Sequence, residues 1–295
     1  MSAVPSAPTP SQAAPRIAVV VPTRDSAPQV GRLLDSLVQQ REGLEVLVNE
    51  DERTSGPLAP ALPAFHARGL DVRLARDNPS RAAGRRRGVR LTSAAVVLHL
   101  DSDMTAGPGL LAECRRLIED EGYDALVIPE VSVGVGFWAR CKVLEKRCWD
   151  GDSAVESLRC LRRELYDRVG GHDEGLVWSE DKDLDLRVRA TGARITTTRS
   201  VLIHDEGRTT LRAAMRKKAH YAATAGRYAA RHPRHFAAQA GPWRLPVLAA
   251  RAWRLSRDPV LTAGLLLLKT CEFAAAGAAL LAAVLPGPRR GGGRG

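Results

Sequence analysis

The run Ala94-Ala95-Val96-Val97-Leu98-His99-Leu100 is apolar along almost its whole length and ends in Asp101-Ser102-Asp103. A continuous apolar stretch of this kind, closed by turn residues, reads as a strand buried in a sheet. Ser102 turns away, while both carboxylates reach the strand's C-terminal end. In open α/β sheets ligands bind outside that end. Two hard oxygen donors there suit Mg²⁺ or Mn²⁺ carrying a diphosphate. An isolated Asp-x-Asp is commonly just a turn. Its position after a buried strand turns it toward chemistry.

The same alternation runs through the preceding sequence. Residues 16–22 form a strand stopped by Pro22, and residues 30–40 carry Val30, Leu33, Leu34, Leu37 and Val38 at helical spacing. Residues 44–48 and 71–75 are further strands, with helices over 58–68 and 82–92. Strand, helix, strand with short links predicts an α/β fold, a parallel sheet wrapped by helices. Beyond the Asp-Ser-Asp, helices are expected over 110–121, 137–149 and 183–191. Strands are expected over 124–129, 193–198 and 201–204, and the segment 158–169 stops at Gly170-Gly171. No G-x-G-x-x-G or G-x-x-x-x-G-K-[ST] loop is present, which disfavours a dinucleotide enzyme or a P-loop ATPase. Carboxylates stand instead at successive strand ends: Glu50-Asp51, Asp101 and Asp103, then Glu180-Asp181 opening a helix. Singly each is a cap or turn residue. On a parallel sheet they converge on one crevice.

Formal net charge is +11, which calls for an anionic partner: nucleotide, nucleic acid or acidic lipid. Five cysteines, Cys114, Cys141, Cys148, Cys160 and Cys271, include no C-x-x-C pair. They read as reduced thiols, neither a disulfide framework nor a zinc site.

Six motifs in order carry a family likeness. They are Val21-Pro22-Thr23-Arg24, Val48-Asn49-Glu50-Asp51, Asn78-Pro79-Ser80-Arg81, Leu100-Asp101-Ser102-Asp103, Val169-Gly170-Gly171-His172-Asp173-Glu174 and Glu180-Asp181-Lys182-Asp183-Leu184. Together, over residues 16–204, they resemble the GT-A glycosyltransferases of family 2, inverting enzymes with nucleotide-sugar donors. The resemblance implies a Rossmann-like GT-A fold and a UDP- or GDP-sugar as donor. It implies that Pro22, Thr23 and Arg24 pack around the nucleoside, and that Glu50 or Asp51 accepts hydrogen bonds from the base. Arg81 corresponds to a basic residue near the nucleotide, Asp101 borders ribose and donor sugar, and Ser102 lies between the two aspartates. Asp103 would bind the metal, Mn²⁺ or Mg²⁺, with Asp101 and His204 as further ligands. Glu180 and Asp181 match the acidic pair near the acceptor, with Asp181 as general base. Two departures stand out: Glu50-Asp51 replaces the usual paired aspartates, and His172 sits where relatives often carry an aromatic residue.

The last third differs in character. Arg208, Arg212, Arg216, Lys217, Lys218, Arg227, Arg231 and Arg234 crowd one stretch, and Tyr221 and Tyr228 are placed on one helical face. Arg244, Arg251 and Arg254 share a face beside Trp243, Leu248, Trp253 and Leu255, the pattern of an interfacial helix. The apolar stretch 259–285 is interrupted by Lys269 and Glu272, and neither half alone spans a bilayer. A re-entrant or interfacial hairpin is expected, with Lys269 and Glu272 pairing. A true span or a homo-oligomer interface built on the C-terminal helices are the alternatives.

The expected organisation is a disordered leader (1–15), a catalytic domain (16–208), a basic and apolar helical appendage (209–288) and a flexible basic tail (289–295). The expected location is cytoplasmic, peripheral or monotopic on the inner face of the cell membrane. The acceptor is expected to be a hydroxyl or phosphate on a lipid-linked or envelope glycan, without nucleic acid as partner. Rival readings are a glycosyltransferase acting on a small secondary metabolite, a nucleotidyltransferase and a non-catalytic basic membrane adaptor.

Overall fold

The computed structural model describes residues 16–241 and 243–284; the expected leader and tail lie outside them. The first half alternates as β1 (Ile17–Thr23), α1 (Ala27–Val38), β2 (Leu44–Glu50), α2 (Leu62–Ala67), β3 (Asp71–Ala75), α3 (Arg81–Arg90) and β4 (Val96–His99). Every residue of β1 and β2 is buried, as runs of Val, Leu and Ile inside a parallel sheet must be. Helix α1 turns its predicted apolar stripe, Val30 to Val38, onto that sheet. Gly88 lets α3 lie close on the other face, since a Cβ there would meet Val20 Cγ1 at 2.4 Å.

The second half continues as β5 (Met104–Ala106), α4 (Leu110–Arg115), β6 (Ala125–Val127), β7 (Glu130–Val133), α5 (Phe137–Arg147), β8 (Leu158–Arg162), α6 (Arg163–Arg168), α7 (Glu180–Arg189), β9 (Ile195–Thr197) and β10 (Leu202–Asp205). The main sheet has the order β3-β2-β1-β4-β8-β6-β9. All its pairs are parallel except those made by β8. The segment 158–169 is therefore not one element. Leu158, Cys160 and Leu161 enter the sheet, while Leu165 and Tyr166 pack from a short helix beneath it.

A second sheet, β5-β10-β7, contains the strand expected over 201–204 as β10, while its partners β5 and β7, three and four residues long, were not legible in sequence. It places His204 opposite Met104, and Asp205 N–H donates to Asp103 C=O at 2.9 Å. That register brings His204 beside the Asp101–Asp103 turn.

The C-terminal region forms α8 (Leu211–Thr224), α9 (Gly226–Arg231), α10 (Pro233–Ala240), α11 (Arg244–Ser256) and α12 (Pro259–Val284). Three expectations are corrected here. Residues 259–284 form one unbroken helix, not a hairpin. Lys269 and Glu272 do pair, at 2.7 Å, but they face α5, where Lys142 and Glu145 complete a four-membered ionic cluster. Charges satisfied by the protein body do not force a break in the helix. Arg244 also turns inward, out of the expected basic face: its guanidinium lies 3.6 Å from the Trp149 ring centre, while Arg251, 5.0 Å from the same ring, stays exposed. The exposed residues of α11 are mixed: Arg251 and Arg254 stand among Val247, Trp253 and Leu255, with Trp243 exposed just before the helix. Finally, the chain breaks between α8 and α9, so Tyr221 and Tyr228 part company. Tyr228 is buried against Trp178, and Tyr221 faces the crevice.

Candidate active site

The C-terminal ends of β1, β2 and β4 open onto two adjoining cavities of about 590 and 290 Å³, which share Arg81, Lys217 and Tyr221 as walls. Pro22, Thr23, Arg24, Asp51 and Ser102 line the larger one. Asp101, Glu130, Glu180, Asp181 and His204 line the smaller. Most of the residues singled out in the sequence thus meet at one crevice, but Asp103, the expected metal ligand, is not among the residues lining either cavity.

Glu50 lines neither cavity. Its buried carboxylate accepts from Leu58 N–H at 3.0 Å and anchors the loop behind the site. Asp51 faces the cavity, where Arg53 grips it at 2.8 and 2.6 Å. That grip brings its pKa down to about 2. Of Glu50 and Asp51, only Asp51 lines the cavity.

Two arginines that sequence reasoning missed organise the carboxylates. Arg85 is fully buried in α3, and its guanidinium reaches Asp101 at 2.5 Å, Asp181 at 2.6 Å and Glu180 at 3.0 Å. It lies one helical turn after Arg81, and that i,i+4 spacing was the available signal. Arg159, on β8, donates to Glu130 at 2.8 Å and lies 3.5 Å from Asp101. It could not be found without knowing that β8 runs antiparallel beside β4.

Burial and the charge of Asp181 raise the pKa of Glu180. Burial opposes the charge on Asp181 as well. There the Arg85 guanidinium and a His172 hydrogen bond outweigh it and hold the carboxyl well below its ordinary range. Asp181 Oδ1 takes both of those bonds; among the described residues Oδ2 has no hydrogen-bond partner. Immediately before this pair, Ser179 adopts φ +58°. Such a conformation is costly for a residue with a side chain. It turns the chain so that α7 begins with Glu180 and Asp181 at the crevice.

The expected cation ligands Asp103 and His204 lie side by side. Asp103 Oδ2 lies 3.4 Å from His204 Nε2, and His204 Nδ1 lies 3.3 Å from Glu130 Oε2. A carboxylate behind a histidine orients the opposite ring nitrogen toward a metal. In spite of burial, Asp103 and Glu130 raise the His204 pKa to about 9. Among the described residues no group of three or more His, Cys, Asp or Glu side chains is arranged to hold a metal ion. Mg²⁺-type sites seldom need one, because one or two carboxylates together with substrate phosphates hold the ion. Asp101 is committed to Arg85 and Arg159, whereas Asp103 is 40% exposed and available. The donor set therefore fits a hard cation shared with a diphosphate.

The model of the family described as "Glycosyl transferase family 2" matches residues 18–170. Two curated relatives, both named pre-mycofactocin glycosyltransferase, come from Mycobacterium tuberculosis strains CDC 1551 / Oshkosh and ATCC 25618 / H37Rv. Each is 31% identical over 235 residues, 74% of this chain and 48% of its own length. The chain thus spans about half the length of the curated relatives it matches. Among solved structures, mannosyltransferase PcManGT from Pyrobaculum calidifontis in complex with GDP-Man and Mn²⁺ aligns with TM-score 0.57 at 21% identity, covering 92% of this chain and 86% of that one. TarS 1–349 from S. aureus in complex with UDP-GlcNAc aligns with TM-score 0.55 at 14% identity, covering 90% and 91%. At these identities the likeness is one of fold.

Proposed function

The chain belongs to glycosyl transferase family 2, and from that membership we propose that it performs a metal-dependent, inverting transfer of sugar from a UDP- or GDP-sugar. One observation carries the reading. Asp101, Glu180 and Asp181, far apart in sequence, are joined by one buried guanidinium beside the open Asp103–His204 pair. The nucleoside occupies the larger cavity, between the Pro22–Arg24 loop and Asp51. Arg81, Ser102 and Lys217 lead its diphosphate toward the smaller one. A Mn²⁺ or Mg²⁺ ion held by Asp103 and His204, with Asp101 alongside, supplies neutralisation of the departing nucleoside diphosphate. Asp181 Oδ2 takes the proton of the acceptor hydroxyl as that oxygen attacks the anomeric carbon. Attack from the face opposite the leaving group inverts the configuration. A phosphate acceptor needs no such base and draws instead on Lys146 and Lys217 in the same wall.

In this reading the acceptor is lipid-linked, and the chain sits monotopically on the inner membrane face. Helix α12 is long and apolar enough to cross a membrane over Pro259–Ala282. Its Lys269 and Glu272 are bound into the protein body, which favours a helix lying on the bilayer. Exposed apolar side chains include Trp243 just before α11, Trp253 and Leu255 of α11, and Val260, Leu267 and Leu281 of α12. Arg254 and Arg257 flank Trp253, which suits anionic headgroups. The full chain is expected to sediment with phosphatidylglycerol vesicles. The double variant Trp253→Glu/Leu267→Glu is expected to remain folded in the supernatant. Unchanged sedimentation of that variant, or a dimer that hides this surface in light scattering, removes the bilayer from the account. The names of the curated relatives favour a second reading, in which pre-mycofactocin is the acceptor. Offering both acceptors in one transfer assay separates the two.

The cation assignment has its own test. Asp103→Ala is expected to weaken Mn²⁺ binding in the presence of UDP or GDP at least about tenfold, as ligand loss does. Mn²⁺ paramagnetic resonance reads this without turnover. Unaltered affinity would reassign the ligand. Thermal-shift screening of nucleotide sugars identifies the donor.

A further inference from the structure

Tyr166, His172 and Asp181 form a chain of hydrogen bonds running from the protein interior to the crevice. Tyr166 Oη lies 3.1 Å from His172 Nδ1, and His172 Nε2 lies 3.1 Å from Asp181 Oδ1. Tyr166 and His172 are both buried. Proton directions follow from a third bond. The backbone N–H of His172 donates to Tyr166 Oη at 3.2 Å, so the phenol accepts there and turns its own proton toward Nδ1. A neutral ring that accepts at Nδ1 carries its proton on Nε2. The opposite tautomer would set the Nε2 lone pair against a carboxylate.

The surroundings keep that ring neutral. Arg85 and Arg86 approach from α3, Arg187 and Asp181 from α7, Tyr166 from α6, and the His99 ring from β4 stands edge-on with centroids 4.7 Å apart. Burial, with Arg85 and Arg187 nearby, outweighs Asp181 and lowers the His172 pKa. The backbone is shaped to the same end. Gly171 adopts φ +67°, and a Cβ there would meet the Tyr166 ring at 2.7 Å, so glycine allows the phenol to tuck beneath His172.

We propose that Tyr166 and His172 are positioning residues that lock the Asp181 carboxylate so that Oδ2 faces the acceptor. The proposal rests on Asp181 being the base. The neutral His172 donor orients the carboxylate without adding a positive charge to the one Arg85 supplies. In the transfer step one proton passes from the acceptor oxygen to Oδ2, and His172 keeps its own while still donating to Oδ1. Holding a reacting group within a fraction of an ångström is what such supports contribute.

Two measurements on the whole 295-residue chain test this. Ring ¹H–¹⁵N spectra, with the His172 signals identified by their loss in H172F, are expected to show the neutral Nε2–H tautomer at and above the ordinary histidine value of about 6.5. Y166F is expected to change that tautomer. An Nδ1–H ring, or one that is still doubly protonated above that value, overturns the proposal whatever the activity. Nucleoside diphosphate release from GDP-mannose and UDP-glucose with Mn²⁺ is the second readout. Y166F and H172F are each expected to lower kcat about 10- to 100-fold, with donor KM within about twofold. The double variant should be no worse than H172F, and H172Q, which keeps a donor near Nε2, should recover part of the rate. Wild-type kcat in H172F, or losses that multiply in the double variant, overturn it. If neither donor is turned over by the wild-type chain, the transferase reading is what suffers, and the spectra still decide the hydrogen-bonded chain.

Discussion

Asp181→Asn is expected to lower sugar transfer by about 10²- to 10⁴-fold, the usual contribution of a positioned base, while the donor still binds. The amide keeps the shape and the contact of Oδ1 with Arg85 and His172, but it cannot take a proton. Turnover with saturating donor, set beside donor affinity from calorimetry, separates the two effects. Equal loss of both would make Asp181 a donor ligand. The pH dependence carries a second check. Because Arg85 and His172 overcome burial and hold the carboxyl well below its ordinary value, Asp181 stays ionised as pH falls through the usual carboxylate range. Its acid limb in kcat therefore lies below the reference value of about 4. By the same linkage its contribution to stability is present above that reference and fades only as pH drops toward the depressed folded value.

Arg85→Met is expected to cost about 3–5 kcal/mol of stability at neutral pH, because it strands buried negative charge. The guanidinium is wholly enclosed and touches Asp101, Glu180 and Asp181. Arg81 and Arg159 cover only part of that charge, at 3.3 Å from Glu180 and 3.5 Å from Asp101. Without Arg85 the carboxyl pKa values rise in the folded state. The variant's deficit is then largest where these groups are ionised in the unfolded chain, and it shrinks as pH falls and they protonate. Denaturant unfolding at pH 7 and pH 5 measures this directly. Arg85→Lys should fall between the two proteins, since one ammonium cannot reproduce a planar fork that reaches three carboxylates. A variant as stable as the wild type at pH 7 would show that water, not Arg85, compensates the site.

The strands and helices with clear periodicity were legible: β1 through β4, α1 and α3 lie within a few residues of their expected places. So were the carboxylates at strand ends, because a parallel sheet with right-handed crossovers sends its C-terminal ends to one side. The elements that escaped were those whose partners are remote. A three-residue strand such as β5 has too few residues to show a period, and its stability comes from β10, which lies about one hundred residues away in the chain. The membrane hairpin failed for a related reason. Lys269 and Glu272 interrupt an apolar run in one dimension, while in three they meet Lys142 and Glu145 and the helix continues.

The amino-acid order alone determined the α/β class, the strand-end carboxylates and the family, since local hydrophobic periodicity and motif spacing are properties of neighbouring residues. Only the tertiary structure decided which charges meet. It chose Asp51 over Glu50 for the cavity, brought Arg85 and Arg159 to Asp101, set His204 beside Asp103, and linked Tyr166 through His172 to Asp181. The physical reason is range: a hydrogen bond or ion pair acts over about 3 Å, and which distant residues come that close is settled by strand register and helix packing.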